Sequence, residues 1–376
     1  MKKIEMVDLK GQYENIKEQV NQSVLETIES TMFINGPRVK SFKEHLEKYL
    51  EIKHVIPCAN GTDALQIALM GLGLNPGDEV ITADFTFAAT VEVISLLGLT
   101  PVLVDVDPKT FNIDVPSIEK VIGPKTKAII PVHLFGQVAD MEQILAVAKK
   151  NNLYVVEDNA QSIGAEYTFS DGRKKKTGTL GHIGTTSFFP SKNLGAYGDG
   201  GAIFTNDDKL AHTIRGMVNH GMYIRYQHDV VGVNSRLDSI QAAILDIKLN
   251  YLDIYNESRK EAALKYNQCL ADHPRLITPF RKGDRDSHVY HQYTLKVIDG
   301  DRDGLVKHLN KNNIPCGIYY PIPLHLQKAY TSENFKSDDF KVTIEIVNQV
   351  ISLPMHTELV DSQIDFITDT VKSFFD

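Results

Sequence analysis

Between residues 54 and 206, short runs of β-branched and aliphatic residues alternate with stretches whose apolar residues recur every three or four positions. This alternation constrains the fold more than any other feature. A chain that repeats strand and helix in this way buries both by laying strands side by side, mostly parallel, and covering each face with helices. The expected strands are 54–58, 79–83, 101–106, 128–133, 154–157, 185–189 and 202–205, with helices at 63–71, 88–97 and 141–149.

After residue 234 the pattern changes. Long helices are expected at 237–250 and 252–272, then strands at 290–297 and 314–320 flanking a helix at 301–312, and a closing helix at 361–375. The reading is an α/β protein with a large domain over 1–250 and a smaller α+β domain over 251–376. At 376 residues the chain can bury a large core. Its 40 basic and 48 acidic residues give a net charge of -8 with interspersed signs, which argues against nucleic-acid or membrane-surface partners. Three scattered cysteines form neither a CxxC pair nor a metal-ligand spacing, and the first residues hold no apolar run of signal-peptide length. Reduced thiols, no metal and a cytoplasmic location are the expectations. The run Lys174-Lys175-Lys176 is expected at a solvated hairpin tip.

Three segments carry chemistry. In Cys58-Ala59-Asn60-Gly61-Thr62-Asp63 a strand turns through glycine into a helix, so the free amides near Gly61 and the Thr62 hydroxyl can converge on an anion; an ordinary helix cap reads the same way. In Val156-Glu157-Asp158-Asn159-Ala160-Gln161 an apolar strand ends in two carboxylates. Alternation sends Glu157 to the opposite face from Asp158, which suits a partner for a protonated pyridine nitrogen, with Gln161 near a ring hydroxyl. In Ser187-Phe188-Phe189-Pro190-Ser191-Lys192-Asn193-Leu194-Gly195 a lysine follows an apolar strand and precedes Gly195, Gly198, Gly200 and Gly201. A desolvated amine there becomes a neutral nucleophile able to form a Schiff base.

Anchor, Asp-x-x-Gln and lysine, in this order and with these neighbours, resemble fold-type I pyridoxal-phosphate enzymes of the DegT/DnrJ/EryC1 family, the sugar-nucleotide aminotransferases. The likeness extends to Phe33-Ile34-Asn35-Gly36-Pro37, His133-Leu134-Phe135-Gly136 and Gly232-Val233-Asn234-Ser235-Arg236-Leu237-Asp238. It implies an aspartate-aminotransferase-like fold and the cofactor pyridoxal 5'-phosphate, with pyridoxamine 5'-phosphate as intermediate. It further implies Lys192 as Schiff-base lysine, Asp158 on the ring nitrogen, Gln161 near the ring oxygen, and phosphate contacts from Gly61, Thr62 and Ser187. Phe87 matches the position that stacks on the ring. Asn234 matches a residue reaching the neighbouring subunit's cofactor, so a homodimer with shared active sites is implied.

The segment 225–238 looks like the branch that aminates C3 of UDP-linked 2-acetamido-3-keto-hexuronic acids with L-glutamate as donor, for surface polysaccharide. Arg225 or Arg236 could pair with a uronate carboxylate, or Arg236 could pair with Asp238. Residues 221–224 depart from that branch, which leaves dTDP-linked 3-keto- and 4-keto-6-deoxyhexoses as alternatives. Tyr319, Tyr320 and His325 resemble a segment lining the sugar pocket, and each could equally pack the small domain. A dehydratase relative would carry histidine at 192. A non-catalytic regulator would carry damaged cofactor residues or an appended basic module, and the sequence has neither.

Overall fold

The computed structural model describes residues 3–333 and 335–376. Two helices the sequence reading left unassigned come first, α1 (Leu9–Ser30) and α2 (Pro37–Leu50). Asp8 caps α1 through the Gly11 amide, and Pro37 opens α2, where its missing N–H costs no bond. The central strands follow as β1 (His54–Cys58), β2 (Glu79–Ala83), β3 (Thr100–Val104), β4 (Thr126–Ile130) and β5 (Tyr154–Asp158). A hairpin of β6 (Glu166–Thr168) and β7 (Lys174–Lys176) precedes β8 (Ile183–Ser187) and β9 (Gly201–Thr205).

These strands form a seven-stranded sheet in the order β1-β9-β8-β5-β4-β2-β3. From β8 through β3 all neighbours are parallel, while β9 runs antiparallel to both β8 and β1. Helices α3 (Gly61–Gly71), α4 (Ala89–Leu96) and α7 (Asp208–Met217) share one apolar core. The short α5 (Val115–Val121) and α6 (Met141–Asn151) contribute to another. Strands buried on both faces explain why 128–130 reads as a continuous apolar run and why 80–83 does not alternate, with Thr82 its one polar residue.

A second hairpin, β10 (Met222–Ile224) and β11 (Gln227–His228), leads to α8 (Ser239–Leu249) and α9 (Leu252–Leu270). A three-stranded antiparallel sheet, β12 (Leu276–Ile277), β13 (Tyr293–Val297) and β14 (Val350–Leu353), packs with α10 (Arg302–Lys311) and α12 (Asp361–Ser373) around its own core, which Ile4 joins from the other end of the chain. Helix α11 (Lys341–Ile346) ends at Ile346, which belongs instead to the core under the large sheet.

Two expectations are corrected. Residues 314–320 form no strand: Pro315 lacks an N–H, only Gly317 bridges to Ser352, and β13 takes β14 as its partner. The three lysines are not a hairpin tip but a paired strand, with Lys174 bridged to Asp284 and Lys176 to Glu166.

Candidate active site

Strands β1 and β8 end side by side, because Cys58 and Ser187 both register with Gly201 of β9 between them. A Cβ at Gly201 would lie 2.4 Å from the Asn60 carbonyl oxygen, and one at Gly61 would lie 2.6 Å from Ser187 Cβ. Glycine at these two places lets the turn after β1 fold onto Ser187. Asn60 caps α3 by accepting from the Asp63 amide at 2.8 Å, while its carbonyl accepts from Ala64. The amides of Gly61 and Thr62 keep no protein acceptor among the described residues. Together with the Thr62 and Ser187 hydroxyls they form a cradle of donors at a helix N-terminus.

The two carboxylates ending β5 diverge as alternation requires. Glu157, fully buried, accepts from the amides of Gly178, Leu180 and Gly181 and from His133 Nε2 at 3.0 Å. His133 Nδ1 accepts from the Ala139 amide, which places the ring proton on Nε2. Asp158, 5% exposed, accepts from Thr90 Oγ1 at 2.9 Å and from the Ala160 amide at 3.1 Å. Glu157 is thus consumed by the fold, and Asp158 keeps acceptor capacity.

Gln161 is oriented from both ends: its Oε1 accepts from the Phe135 amide at 2.6 Å and its Nε2 donates to the Tyr320 hydroxyl at 3.1 Å. One amide proton remains. Tyr320, expected in a sugar pocket, stands beside Gln161 and against the rings of Phe85 and Phe87, and burial raises its pKa so that it stays protonated. Phe87 itself is 57% exposed, an apolar ring left uncovered at the strand ends.

Lys192 is only half-buried as a residue, yet burial of its amine lowers the pKa to about 8, against the opposing pull of the Asp158 carboxylate. Its loop is tightly held. The Lys192 amide donates to the Phe189 carbonyl, Asn193 Nδ2 donates to Asn256 Oδ1 and to the Val289 carbonyl, and Lys248 Nζ donates to the Gly195 carbonyl at 2.5 Å. A Cβ at Gly195 would meet the Pro190 oxygen at 2.2 Å.

The remaining candidates lie elsewhere. His325 is enclosed rather than open to a pocket: its Nδ1 lies 2.6 Å from Asp84, its ring stacks on Phe340, and it is 4% exposed. Its Nδ1 is thus spent on packing, while its Nε2 is buried without a partner. Tyr319 is half-buried beside Gly317. Arg225 is exposed with its guanidinium over Tyr226, and Asn234 is exposed. Arg236 bonds Asn219 rather than Asp238, and its Nε is buried without a partner. The contacts of Thr90, Phe135 and Lys248 are not visible in the sequence, because nothing in local spacing reveals a partner 26 to 68 residues away.

This set of a donor cradle, an oriented carboxylate and a desolvated lysine at the ends of a mostly parallel sheet defines a cofactor-dependent α/β enzyme. Residues 14–372 match the model of the DegT/DnrJ/EryC1/StrS aminotransferase family, and the chain belongs to that family. It is 44% identical to a pleiotropic regulatory protein of Geobacillus stearothermophilus, covering 99% of this chain and 98% of that one. It is 45% identical to the UDP-2-acetamido-2-deoxy-3-oxo-D-glucuronate aminotransferase of Pseudomonas aeruginosa, covering 97% and 98%. A UDP-N-acetyl-3-dehydro-alpha-D-glucosamine 3-aminotransferase of Acidithiobacillus ferrooxidans is 40% identical over 98% and 97%. Among solved structures, S. venezuelae DesV in complex with a ketimine intermediate superposes with TM-score 0.94 at 36% identity, covering 100% and 99%. NtdA from Bacillus subtilis, with bound cofactor PMP, gives TM-score 0.87 at 32% identity, covering 96% and 82%. Among the described residues no helix is long and apolar enough to cross a membrane.

Proposed function

We propose that this chain is a pyridoxal-phosphate-dependent aminotransferase that carries an amino group from L-glutamate to C3 of a UDP-linked 2-acetamido-3-keto-hexuronic acid, in the cytoplasm, for surface polysaccharide. The observation that carries the reading is the meeting of three groups at the strand ends: the Gly61 turn folded onto Ser187, Asp158 held by Thr90 at the end of β5, and Lys192 on a tightly fastened loop with its amine desolvated.

The residues present fit the cofactor. Gly61, Thr62 and Ser187 offer unspent donors to a phosphate, Asp158 offers an acceptor to a protonated ring nitrogen, and Gln161 has one amide proton left for a ring oxygen. Phe87 presents the apolar face on which a ring can lie. When bound, the cofactor supplies the aldehyde that takes up the amino group and the ring that draws electrons from the substrate carbon. Lys192 would hold the cofactor through its amine and would move a proton at the substrate carbon, a task suited to an amine whose pKa burial lowers to about 8. Asp158 would keep the ring nitrogen protonated, and Thr90 keeps Asp158 aimed.

The large domain is taken as 1–250 and the small one as 251–376, with the cleft between them receiving the sugar near Tyr319 and Tyr320. A homodimer with shared active sites is part of the proposal. Ile224, Tyr226 and Val231 are exposed at 60%, 76% and 84% around the hairpin that carries Arg225 and precedes Asn234, an apolar surface suited to a second copy. Arg236, with an unpartnered Nε, and Arg225 are the candidates for the uronate carboxylate. The likeness to a regulatory protein does not favour a regulator here, because Lys192, Asp158 and the Gly61 turn are all intact.

The test is a panel with glutamate and UDP-linked 3-keto uronate beside dTDP-linked 3-keto- and 4-keto-6-deoxyhexoses. The charged sugar should turn over at least tenfold faster in kcat/KM, in keeping with about 1.4 kcal/mol or more from one arginine–carboxylate pair. Equal turnover of the uncharged sugars would remove the substrate assignment and leave the aminotransferase.

A further inference from the structure

The stretch of chain that follows β2 is held by one short 3-10 turn, Leu324–Leu326, from far along the sequence. Asp84, fully buried at the end of β2, accepts from the Leu324 amide through its carbonyl at 3.1 Å and from the His325 amide through Oδ1 at 2.7 Å, while His325 Nδ1 lies 2.6 Å from its Oδ2. Further along, Leu324 and Val91 of α4 share a small apolar cluster with Leu103 and Phe340, and the His325 ring stacks on Phe340 with centroids 4.3 Å apart. The turn therefore grips both ends of residues 84–91.

Between those ends lie two groups already placed at the site. Phe87 presents the uncovered ring, its carbonyl accepts from the Thr90 amide at 3.4 Å, and Thr90 Oγ1 donates to Asp158 at 2.9 Å. On the other side, the chain that leads into the turn carries Tyr320, whose hydroxyl accepts from Gln161 and whose ring lies 6.0 Å from Phe85 and 6.1 Å from Phe87. The Asp84–His325 pair is thus a buried hydrogen-bonded joint between two walls of one site. Little water competes with such bonds, and a buried carboxylate that loses a donor must protonate or draw the chain around it out of place. Burial already raises the pKa of Asp84 against the opposing hold of His325.

We infer that His325 is a positioning residue for the cofactor: by holding Asp84 it fixes where Phe87 lies against the ring and how Thr90 aims Asp158, in register with Tyr320 and Gln161. The inference rests on the cofactor reading of Lys192 and Asp158. It accounts for a histidine, rather than an apolar side chain, among Val91, Leu103 and Phe340, where packing alone asks for no polar atom.

The test follows release of pyridoxamine 5'-phosphate from the loaded full-length enzyme, by fluorescence after dilution. His325→Leu should speed release about tenfold or more, and His325→Asn, whose Nδ2 can stand in for Nδ1 toward Asp84, should come within about threefold of wild type. Phe87→Leu tests the route: it should speed release about fivefold on its own and by less than about twofold in the His325→Leu background, because losses that share one path do not multiply. A leucine variant that releases at the wild-type rate, an asparagine variant no better than leucine, or losses that multiply in full overturn the inference. If His325→Leu does not fold, His325→Gln decides, since its amide reaches the place of Nε2 and leaves Asp84 Oδ2 bare: release must be at least about threefold faster than in His325→Asn, and equal rates refute the proposal. Wild type that retains no cofactor brings down the underlying reading together with the inference, whereas retention by wild type and by the leucine variant alike brings down the inference alone.

Discussion

Two lysines with desolvated amines meet at one loop and do opposite things. Lys192 sits at the strand ends with a pKa lowered to about 8 by burial and a carboxylate, Asp158, for electrostatic company. Lys248, on α8 and 1% exposed, is lowered further, to about 7, by burial and by the Arg259 cation. Its amine is spent on the Gly195 carbonyl, behind the loop that presents Lys192. A depressed amine pKa therefore does not by itself mark a nucleophile. What distinguishes the catalytic candidate is its place among an anion cradle, an oriented acid and an exposed aromatic ring, whereas Lys248 holds the backbone that puts it there.

The same division runs through adjacent carboxylates and can be broken by mutation. Asp158→Asn should cut turnover by about 10²–10⁴-fold while leaving urea unfolding within about 1 kcal/mol, because the role proposed for it is electrostatic support of the cofactor ring. Glu157→Gln should do the reverse. With three amides and His133 turned toward it, replacing the anion by an amide should cost about 3 kcal/mol of stability, and turnover per folded molecule should stay within about tenfold. A large kinetic loss in Glu157→Gln with normal stability would erase the distinction.

A smaller effect sharpens the lysine comparison. Both amines bind protons less tightly folded than unfolded, so between their folded pKa values and the ordinary 10.5 the unfolded chain holds more protons and stability of the cofactor-free protein rises with pH. Each group should add about 1 kcal/mol per pH unit in its window. Lys248→Met should move the onset of this rise from about pH 7 to about pH 8, and Lys192→Met should leave the onset near 7 and halve the slope above 8. Denaturant titrations across pH 6–10 would show it, and an identical profile in both variants would mean that the two amines are not separately desolvated.

Much of this was legible in the sequence because it is local. Strand–turn–helix at Asn60-Gly61-Thr62, paired carboxylates on opposite faces of β5, and a lysine after β8 each follow from short-range rules of capping, alternation and glycine freedom. The hold on Gln161 was not legible, since Phe135 and Tyr320 arrive from 26 and 159 residues away. Nor was the burial of His325, which a β2-end aspartate, Asp84, draws inward from 241 residues along. Apolar β-branched residues in 314–320 suggested a strand, but pairing is decided by the partner, and β14 holds that place. Helix α1 was not legible because much of its inward face is polar, with Gln12, Ser23 and Thr27 buried beside Ile16 and Val20.

The central claim is tested most directly by reducing the native enzyme with borohydride and mapping the modified peptide by mass spectrometry. The account predicts loss of the yellow absorbance and a single phosphopyridoxyl group on Lys192, absent from Lys192→Ala. A label on Lys248 or another lysine, or an enzyme in its pyridoxal-phosphate form that stays unlabelled and still transfers amino groups, would contradict it.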